Sequence, residues 1–140
     1  MEQMQLLDKN IQFVHLTDSE SINKTGMQDF YWITPMRHKN HAFSPVGFLY
    51  SYLEGMYLSA KLVRKYKPQA VIGFGPGICI PAFMVCKLLN VKKRIFFEDW
   101  CRFSSKSLSG KACKPFSTKF FVQNESLKEL YPNAEFAGRL

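Results

Sequence analysis

Two short stretches of the chain combine residue types that could bind a phosphorylated ligand or act on one. In the first, "AVIGFGPGICIP" (70–81), an apolar strand-like run meets three glycines around Pro76, and an apolar helix-like run follows. Glycines in such a turn permit positive φ and close approach of a ligand, and the following helix can offer N–H groups to an anion. The stretch matches neither G-x-G-x-x-G nor the Walker pattern, so a phosphate cradle and a plain tight turn both stay open.

The second stretch is "FFEDWCRF" (96–103), where Glu98 and Asp99 follow a predicted buried strand and Arg102 comes shortly after. A carboxylate at a strand end could take a proton from a hydroxyl or hydrogen-bond a sugar, which makes Glu98 the candidate catalytic residue. The competing interpretation is an ion pair between Arg102 and either carboxylate that closes the loop. Downstream, "SLSGK" (107–111) supplies two hydroxyls, a glycine and a lysine, either as a second anion contact or as a helix cap.

The elements that must position these residues alternate along the chain. Strands are predicted at 11–16, 29–34, 70–74, 94–98, 119–123 and 134–138. Helices are predicted at 44–68, from the glycine turn to about Leu89, around 108–116, and at 124–131 with Asn124 as the cap. This alternation predicts an α/β fold with a mostly parallel, doubly wound sheet, in which ligands bind outside the carboxyl ends of the strands.

The longest predicted helix has clear start signals and a regular apolar pattern. Ser44 suits the N-cap and Pro45 the first helical position, and Pro68 ends the helix. Apolar residues recur at spacings of three and four, which predicts one stripe buried in the core. The stripe consists of Val46, Leu49, Leu53, Met56, Ala60 and Val63.

Composition limits the possible classes. A chain of 140 residues, 46% hydrophobic and 21% charged, is typical of one globular domain, here 1–140. No apolar run approaches the roughly 18–20 residues of a membrane-spanning helix. The four cysteines form no C-x-x-C and the three histidines are scattered. We therefore expect neither a metal site nor a cofactor.

The charge is strongly basic and unevenly distributed. The formal net charge is +8, and the segment 87–119 carries nine Lys or Arg against Glu98 and Asp99. This excess predicts an anionic partner, either phosphate groups, nucleic acid or an acidic membrane face, unless it is only a solvated basic surface. Because the chain shows no RNP-like or helix-turn-helix signature, we expect no nucleic-acid partner.

Five motifs in order carry a resemblance to a known family. They are "GPGICIP", Glu98-x-x-Cys-Arg102, Ser107-x-Ser-Gly-Lys111, "FFVQ" and "LYPNAEFAG". Together they resemble the membrane-anchoring, acceptor-side subunit of the two-part N-acetylglucosaminyltransferase that adds the second GlcNAc to GlcNAc-diphosphodolichol in N-glycan precursor assembly. The chain is more distantly similar to the N-terminal half of MurG-like GT-B glycosyltransferases. The resemblance is dense over 68–140 and looser over 11–44.

The resemblance implies a Rossmann-like half of a GT-B glycosyltransferase that is inactive alone. A separate catalytic subunit would carry the UDP-GlcNAc site, and a polyprenyl (dolichyl) diphosphate sugar would be the acceptor. A membrane surface would be a further partner, at the cytosolic face of the endoplasmic reticulum. The implied acceptor- or phosphate-binding residues are Gly75, Pro76, Gly77, Arg102, Ser107, Ser109, Gly110 and Lys111. The implied partner interface is Gly138, Arg139 and Leu140.

The amino terminus departs from that family, which opens with a membrane segment, a first strand and a glycine-rich loop. We therefore expect that the chain begins late and that its sheet lacks the first strand, which would leave backbone groups unpaired at a central position. Two other functions stay open. One is a bacterial exopolysaccharide glycosyltransferase subunit. The other is a stand-alone nucleotide- or phosphate-binding Rossmann module, in which Glu98, 21 residues after Gly77, would bind a ribose.

Overall fold

The computed structural model describes residues 12–17, 30–34, 44–99 and 101–138. Within these ranges the strands form two sheets, and the paired strands in each sheet run parallel. In the smaller sheet β1 (His15–Thr17) pairs with β2 (Phe30–Trp32). Among the residues described, the larger sheet has four strands in sequence order, each parallel to its neighbour. These strands are β3 (Ala70–Phe74), β4 (Lys93–Phe97), β5 (Lys119–Val122) and β6 (Glu135–Phe136). The predicted α/β fold with parallel strands is confirmed, with most strands shorter than expected.

The register of the larger sheet brings its strand ends to one edge. Phe74 lies opposite Phe97, and Phe97 lies opposite Phe121, in one row across three strands. The residues that follow this row therefore leave the sheet side by side. They include Gly75 after β3 and Glu98 after β4, so the two stretches singled out in the sequence meet at the carboxyl edge.

Four helices lie within the described ranges of the chain. They are α1 (Pro45–Tyr66), α2 (Cys79–Leu88), α3 (Leu108–Cys113) and α4 (Leu127–Leu130). The helix predicted around 108–116 is α3 followed by a 3-10 turn, Lys114–Phe116. The helix predicted at 124–131 starts later, and Asn124 does not cap it, because its side-chain amide donates to the Arg102 carbonyl instead.

Helix α1 begins and ends as its sequence predicts. Ser44 has extended backbone and its hydroxyl accepts a hydrogen bond from the Gly47 amide at 3.2 Å. Pro45 occupies the first helical position, where a missing N–H costs nothing. At the other end Lys67 adopts a left-handed conformation, with φ 46°, and its amide donates to the Val63 carbonyl.

The predicted buried stripe of α1 is wrong. The buried residues are Ser51, Gly55, Ser59 and Leu62, on the face opposite to the stripe. A Cβ on Gly55 would lie 2.9 Å from Pro81 Cγ, so α1 approaches α2 closely along its small residues. Close packing of two helices selects small side chains over large apolar ones. Val46, Leu49 and Leu53 of the stripe are exposed, and its remaining residues are half-buried.

The core lies between the larger sheet and the helices α2, α3 and α4. Phe96 and Phe120 stack at 5.2 Å between ring centroids, and Phe83 of α2 meets Phe96 edge-on at 5.6 Å. Tyr131, which follows α4, packs on Phe120 at 4.7 Å. Aromatic contacts of this kind bury large apolar areas and fix relative orientation. None of the described helices combines the length and apolar character needed to cross a bilayer.

Candidate functional site

The carboxyl end of β4 places Glu98 in the interior. Glu98 is 0% exposed. Its Oε2 atom accepts a hydrogen bond from the Tyr131 hydroxyl at 2.5 Å, and its Oε1 atom accepts one from the Asp99 amide at 3.0 Å. The Gln123 side-chain amide donates to the Glu98 carbonyl at 3.2 Å. Both carboxylate oxygens are therefore engaged within the protein.

Tyr131 is held as a hydrogen-bond donor. Burial raises the pKa of the Tyr131 hydroxyl above its ordinary value of 10.0, and the hydrogen bond to Glu98 raises it further. The phenol consequently keeps its proton at neutral pH. The ammonium nitrogens of Lys106 and Lys114 lie 5.3 and 5.5 Å from the ring centroid, within cation–π distance.

Gly110 leaves the space that this pair occupies. A Cβ at Gly110 would lie 2.0 Å from Glu98 Oε2 and 2.6 Å from the Tyr131 hydroxyl oxygen. Real Cβ atoms essentially never approach other atoms so closely, so a side chain at Gly110 would displace the Glu98–Tyr131 hydrogen bond. The glycine of "SLSGK" thus serves the packing of α3 against a buried carboxylate.

The two hydroxyls of "SLSGK" are used inside the protein. Ser107 is the N-cap of α3, and its hydroxyl oxygen accepts a hydrogen bond from the Gly110 amide at 2.7 Å. The Ser107 and Ser109 hydroxyl oxygens lie 3.1 Å apart, and the Ser109 hydroxyl donates to the carbonyl of Gly75. Lys111 is exposed. The helix-cap interpretation of this stretch therefore describes Ser107, and Lys111 is the group that faces solvent.

The glycine turn after β3 is fixed on both sides. Gly75 has φ 68°, which favours glycine, and its amide donates to the Phe97 carbonyl at 3.2 Å. In the next residues the Pro76 carbonyl accepts from the Cys79 amide at 3.1 Å, and the Gly77 carbonyl accepts from the Ile80 amide at 3.0 Å. The two amides at the start of α2 therefore already have hydrogen-bond partners within the turn. The segment is a tight turn, and it also forms the rim of the carboxyl edge of the larger sheet.

The loop after Glu98 is held by hydrogen bonds from residues that follow β5, and its Arg102 side chain is exposed. The Asn124 side-chain amide donates to the Arg102 carbonyl at 2.5 Å, and the Ser126 hydroxyl donates to the Phe103 carbonyl at 2.5 Å. Asp99 Oδ1 accepts from the Cys101 amide at 3.1 Å. The Arg102 guanidinium is exposed and donates to the Ser105 hydroxyl at 3.3 Å.

The ion-pair interpretation of this loop is wrong for the described residues. The ion pair found among them is Lys119–Glu135, at 3.1 Å on the surface, and it involves neither Glu98 nor Asp99. Both carboxylates instead accept hydrogen bonds from neighbouring backbone amides. Arg102 is thereby left without a carboxylate partner in the part of the chain that the structure describes.

Most of the predicted site residues converge on one edge of the sheet. Glu98, Ser107, Ser109, Gly110 and Gly75 are linked there by the contacts given above. Other predicted site residues contribute an exposed surface around them. These are Pro76, Arg102 and Lys111.

The predicted partner interface is only partly covered. Gly138 has φ 74°, and open space surrounds the position of its missing Cβ. Arg139 and Leu140 lie outside the described residues. The ligand and partner roles assigned to this interface and to the edge of the sheet stay predictions.

Tyr131, Gln123 and Asn124 are residues of the site that the motifs did not assign to it. Tyr131 lies 33 positions from Glu98, and no spacing rule connects the two. For Gln123 and Asn124 the available signal was the order of the strands, because residues just after β5 must leave the sheet beside the end of β4. Within the described ranges no set of His, Cys, Asp and Glu side chains is arranged to hold a metal ion.

Comparisons with known proteins connect this fold to named relatives. The family model described as "Oligosaccharide biosynthesis protein Alg14 like" matches residues 5–140. The chain is 31% identical over 137 residues to the "UDP-N-acetylglucosamine transferase subunit ALG14" of Rattus norvegicus, which covers 94% of this chain and 63% of that protein. The protein of the same name from Mus musculus is 40% identical over 90 residues, 61% of this chain and 42% of the relative. The chain thus spans less than two thirds of the length of these relatives.

A solved structure shares the fold. The crystal structure of MurG from Acinetobacter baumannii aligns with 99% of this chain and 39% of its own, with a TM-score of 0.68 at 14% identity. At this identity the likeness establishes the fold, a Rossmann-like half of a GT-B architecture. With the family model matching nearly the whole sequence, the chain belongs to the Alg14 family.

Proposed function

We propose that the chain is the acceptor-side subunit of a UDP-GlcNAc-dependent N-acetylglucosaminyltransferase that adds the second GlcNAc to GlcNAc-diphosphodolichol. Membership of the Alg14 family is the observation that carries the proposal, since relatives at 31–40% identity are named UDP-N-acetylglucosamine transferase subunits. A subunit requires a partner, and we place the UDP-GlcNAc site on a separate catalytic chain. The isolated chain is then inactive.

The carboxyl edge of the larger sheet suits a diphosphate. Arg102 and Lys111 are exposed there on a backbone fixed by side-chain clamps, and the Gly75–Gly77 turn forms the rim beside them. Guanidinium and ammonium groups are the usual ligands of phosphate oxygens. The chain's part in the reaction is to bind and orient the acceptor so that its sugar hydroxyl attacks the anomeric carbon of the donor as UDP leaves.

We do not assign to Glu98 the catalytic role for which its sequence position made it a candidate. Its carboxylate is fully buried and bonded to Tyr131 and Asp99, so a substrate hydroxyl has no path to it in this conformation. We assign the proton transfer to groups outside this chain's described residues. The same burial disfavours a stand-alone dinucleotide-binding module, because a ribose-binding carboxylate must face the ligand.

Reconstitution with the catalytic partner tests the assignment. We expect transfer of GlcNAc from UDP-GlcNAc to GlcNAc-diphosphodolichol by the pair and none by either chain alone. Arg102→Ala and Lys111→Ala should raise KM for the acceptor and leave KM for UDP-GlcNAc unchanged. Lys93→Ala is the matched control, since Lys93 is exposed in the same basic segment but begins β4 at the opposite edge of the sheet.

Two results would overturn the assignment. A reconstituted pair without transfer contradicts the function itself. Equal losses for Lys93→Ala and Arg102→Ala contradict the location of the acceptor site. A panel of polyprenyl diphosphate sugars separates the dolichol-linked step from the bacterial exopolysaccharide alternative, which predicts transfer to bacterial carrier lipids and little to the dolichol acceptor.

We further propose that the outer face of α1 recruits the subunit to the cytosolic face of the endoplasmic reticulum membrane. The residues of this face are half to three quarters exposed. They are Val46 (77%), Leu49 (57%), Tyr50 (63%), Leu53 (55%) and Tyr57 (70%). Because successive helical residues turn by about 100°, these side chains share one face, which Lys61 and Arg64 continue toward the end of the helix. An apolar stripe with basic residues at its border is typical of helices that lie on anionic bilayers.

Vesicle flotation tests this surface. The chain should float with vesicles that contain anionic phospholipid and bind neutral vesicles less, whereas the double variant Leu49→Glu and Leu53→Glu should stay at the bottom. Leu88→Glu is the control, because Leu88 is 73% exposed at the end of α2, outside the stripe. Flotation of the double variant with the wild-type yield would contradict the proposal.

A further inference from the structure

We propose that Glu98 and Tyr131 are positioning residues, which hold the Gly75 turn and the start of α3 in the arrangement that binds the acceptor's diphosphate. The proposal rests on the proposed function and goes beyond it, because neither side chain touches the ligand surface. Both are buried, at 0% and 1% exposure. Their effect reaches the surface through two serines.

The contacts form a continuous path from the interior to the rim. The Tyr131 hydroxyl donates to Glu98 Oε2, and this pair packs against Gly110, whose amide donates to the Ser107 hydroxyl at 2.7 Å. The Ser107 hydroxyl lies 3.1 Å from that of Ser109, which donates to the Gly75 carbonyl. The path therefore joins β4, the residue after α4, the N-cap of α3 and the turn after β3.

The path has consequences at the surface because its ends neighbour the exposed groups. Gly110, packed against Glu98 and Tyr131, directly precedes the exposed Lys111. At the other end, Gly75 precedes Pro76, whose ring is exposed at the rim. A shift of α3 relative to β4 would change the position of Lys111 relative to the turn. The buried pair thus sets the spacing of groups that meet the ligand.

A buried carboxylate is suited to this task. Removing one partner of a buried charge leaves it unpaired, so the surrounding elements are held in the one arrangement that satisfies both oxygens. The donors come from Tyr131 and from the Asp99 amide, on two segments that are distant in sequence. Substituting Tyr131 by phenylalanine removes one donor and keeps the ring in its packing on Phe120, which makes it the cleanest perturbation.

The experiment compares Tyr131→Phe, Glu98→Gln and Ser109→Ala with Tyr52→Phe. The control also loses a tyrosine hydroxyl. Tyr52 lies on α1, away from the path, and its hydroxyl donates to the sulfur of Met84 on α2 at 3.6 Å. The 140-residue chain labelled with 15N-glycine gives at most eight backbone amide signals from glycine, one per glycine. We expect the signals of Gly75 and Gly110 to move in the three path variants and to stay in place in Tyr52→Phe.

Ligand binding provides the functional readout. Inorganic pyrophosphate is titrated into each labelled chain, and the reconstituted pair is assayed for KM of the acceptor and of UDP-GlcNAc. Tyr131→Phe should weaken pyrophosphate binding and raise acceptor KM by about tenfold, which corresponds to about 1.4 kcal/mol of binding free energy. Donor KM should not change. Glu98→Gln keeps the shape and one acceptor oxygen for Tyr131, so it should recover most of the affinity that Glu98→Ala loses.

The outcomes separate this proposal from the proposed function. Unchanged Gly75 and Gly110 signals in Tyr131→Phe, or unchanged pyrophosphate affinity despite moved signals, overturn the positioning role. A wild-type pair without transfer refutes the proposed function alone if pyrophosphate binding still depends on Tyr131. Equal weakening by Tyr52→Phe would show a general loss of stability and would also overturn the role.

Discussion

Replacing Gly110 by alanine should have two opposing effects on stability, a gain in helix propensity and a clash with the buried carboxylate. Gly110 lies in the middle of α3, where alanine is favoured over glycine by about 1 kcal/mol. Its added methyl would instead meet Glu98 Oε2 at 2.0 Å and the Tyr131 hydroxyl oxygen at 2.6 Å. Neither group can retreat into solvent, because both side chains are buried.

The magnitude follows from the two contacts. Forcing a methyl into a filled interior costs about 1–3 kcal/mol. Breaking the hydrogen bond between Tyr131 and the Glu98 carboxylate costs about 1.5–3 kcal/mol more, since the charge is left buried. After subtracting the gain in helix propensity, Gly110→Ala should lower the free energy of unfolding by about 1.5–5 kcal/mol. That is a large share of the roughly 5–15 kcal/mol that stabilises a typical domain.

Urea unfolding followed by circular dichroism measures the change, which should appear as a lower midpoint with an unchanged slope. Gly47→Ala in α1 is the matched control. Its Cβ would lie 3.5 Å from Ser44 Cβ, an ordinary van der Waals distance, so this variant should gain up to about 1 kcal/mol. A Gly110→Ala protein as stable as the wild type, or stabilised like Gly47→Ala, would refute the buried Glu98–Tyr131 contact.

Three further predictions test separate features. Gly75→Ala should lose about 1–3 kcal/mol in the same unfolding assay, because φ 68° is strained for alanine and its Cβ would meet Asp99 Cβ at 3.4 Å; no change would mean that the turn tolerates any residue. Cys101 is exposed, whereas burial raises the pKa of Cys86 to about 11, so alkylation of the native chain near pH 8 should label Cys101 first, as mass spectrometry will show, and equal rates would contradict this burial. Since the pKa of Tyr131 is raised on folding, its contribution is complete below its ordinary value of 10.0 and is lost as pH rises beyond it, so the stability of Tyr131→Phe should fall less steeply than that of the wild type above about pH 10.

The order of the elements was predictable because strands and helices carry local signals. β3 was predicted residue for residue, and Ser44 and Pro45 marked the start of α1 correctly. Capping and turn chemistry depend on neighbours in sequence, so a single sequence contains them. The end of the chain was less predictable, since Asn124 has the chemistry of a cap but is used by the Arg102 carbonyl, a partner 22 positions away.

The buried face of α1 was not predictable from periodicity. Apolar spacing identifies a face but does not say what it meets, and on α1 the helix–helix contact took the small residues. Gly55 decides this, because a Cβ there would lie 2.9 Å from Pro81 Cγ. Its signal in the sequence is the spacing of Ser51, Gly55 and Ser59 at every fourth position. A stripe of small residues opposite an apolar stripe leaves two candidate interfaces, and only the tertiary fold chooses between them.

The same limitation applies to the acid at the end of β4. From its position Glu98 was equally suited to a catalytic role, a sugar contact or an ion pair, because sequence places a side chain at a strand end without giving its direction. The direction is set by Tyr131 and by the space over Gly110, both contributed by later parts of the chain. Glycine at position 110 was a signal of close approach, but the motif suggested an anion from solution and not the protein's own carboxylate.

The distribution of charge around the carboxyl edge of the sheet follows from the inward direction of the Glu98 side chain. Within 87–119 nine cations face two acids by count, and both acids accept hydrogen bonds from the chain's own backbone. Arg102 and Lys111 are consequently exposed with neither carboxylate turned toward them as an ion-pair partner. A fixed edge of cations with its acids withdrawn favours binding and orienting a polyanion over moving a proton. That property is the one an acceptor-side subunit needs if the reacting groups are supplied by its partner and its substrates.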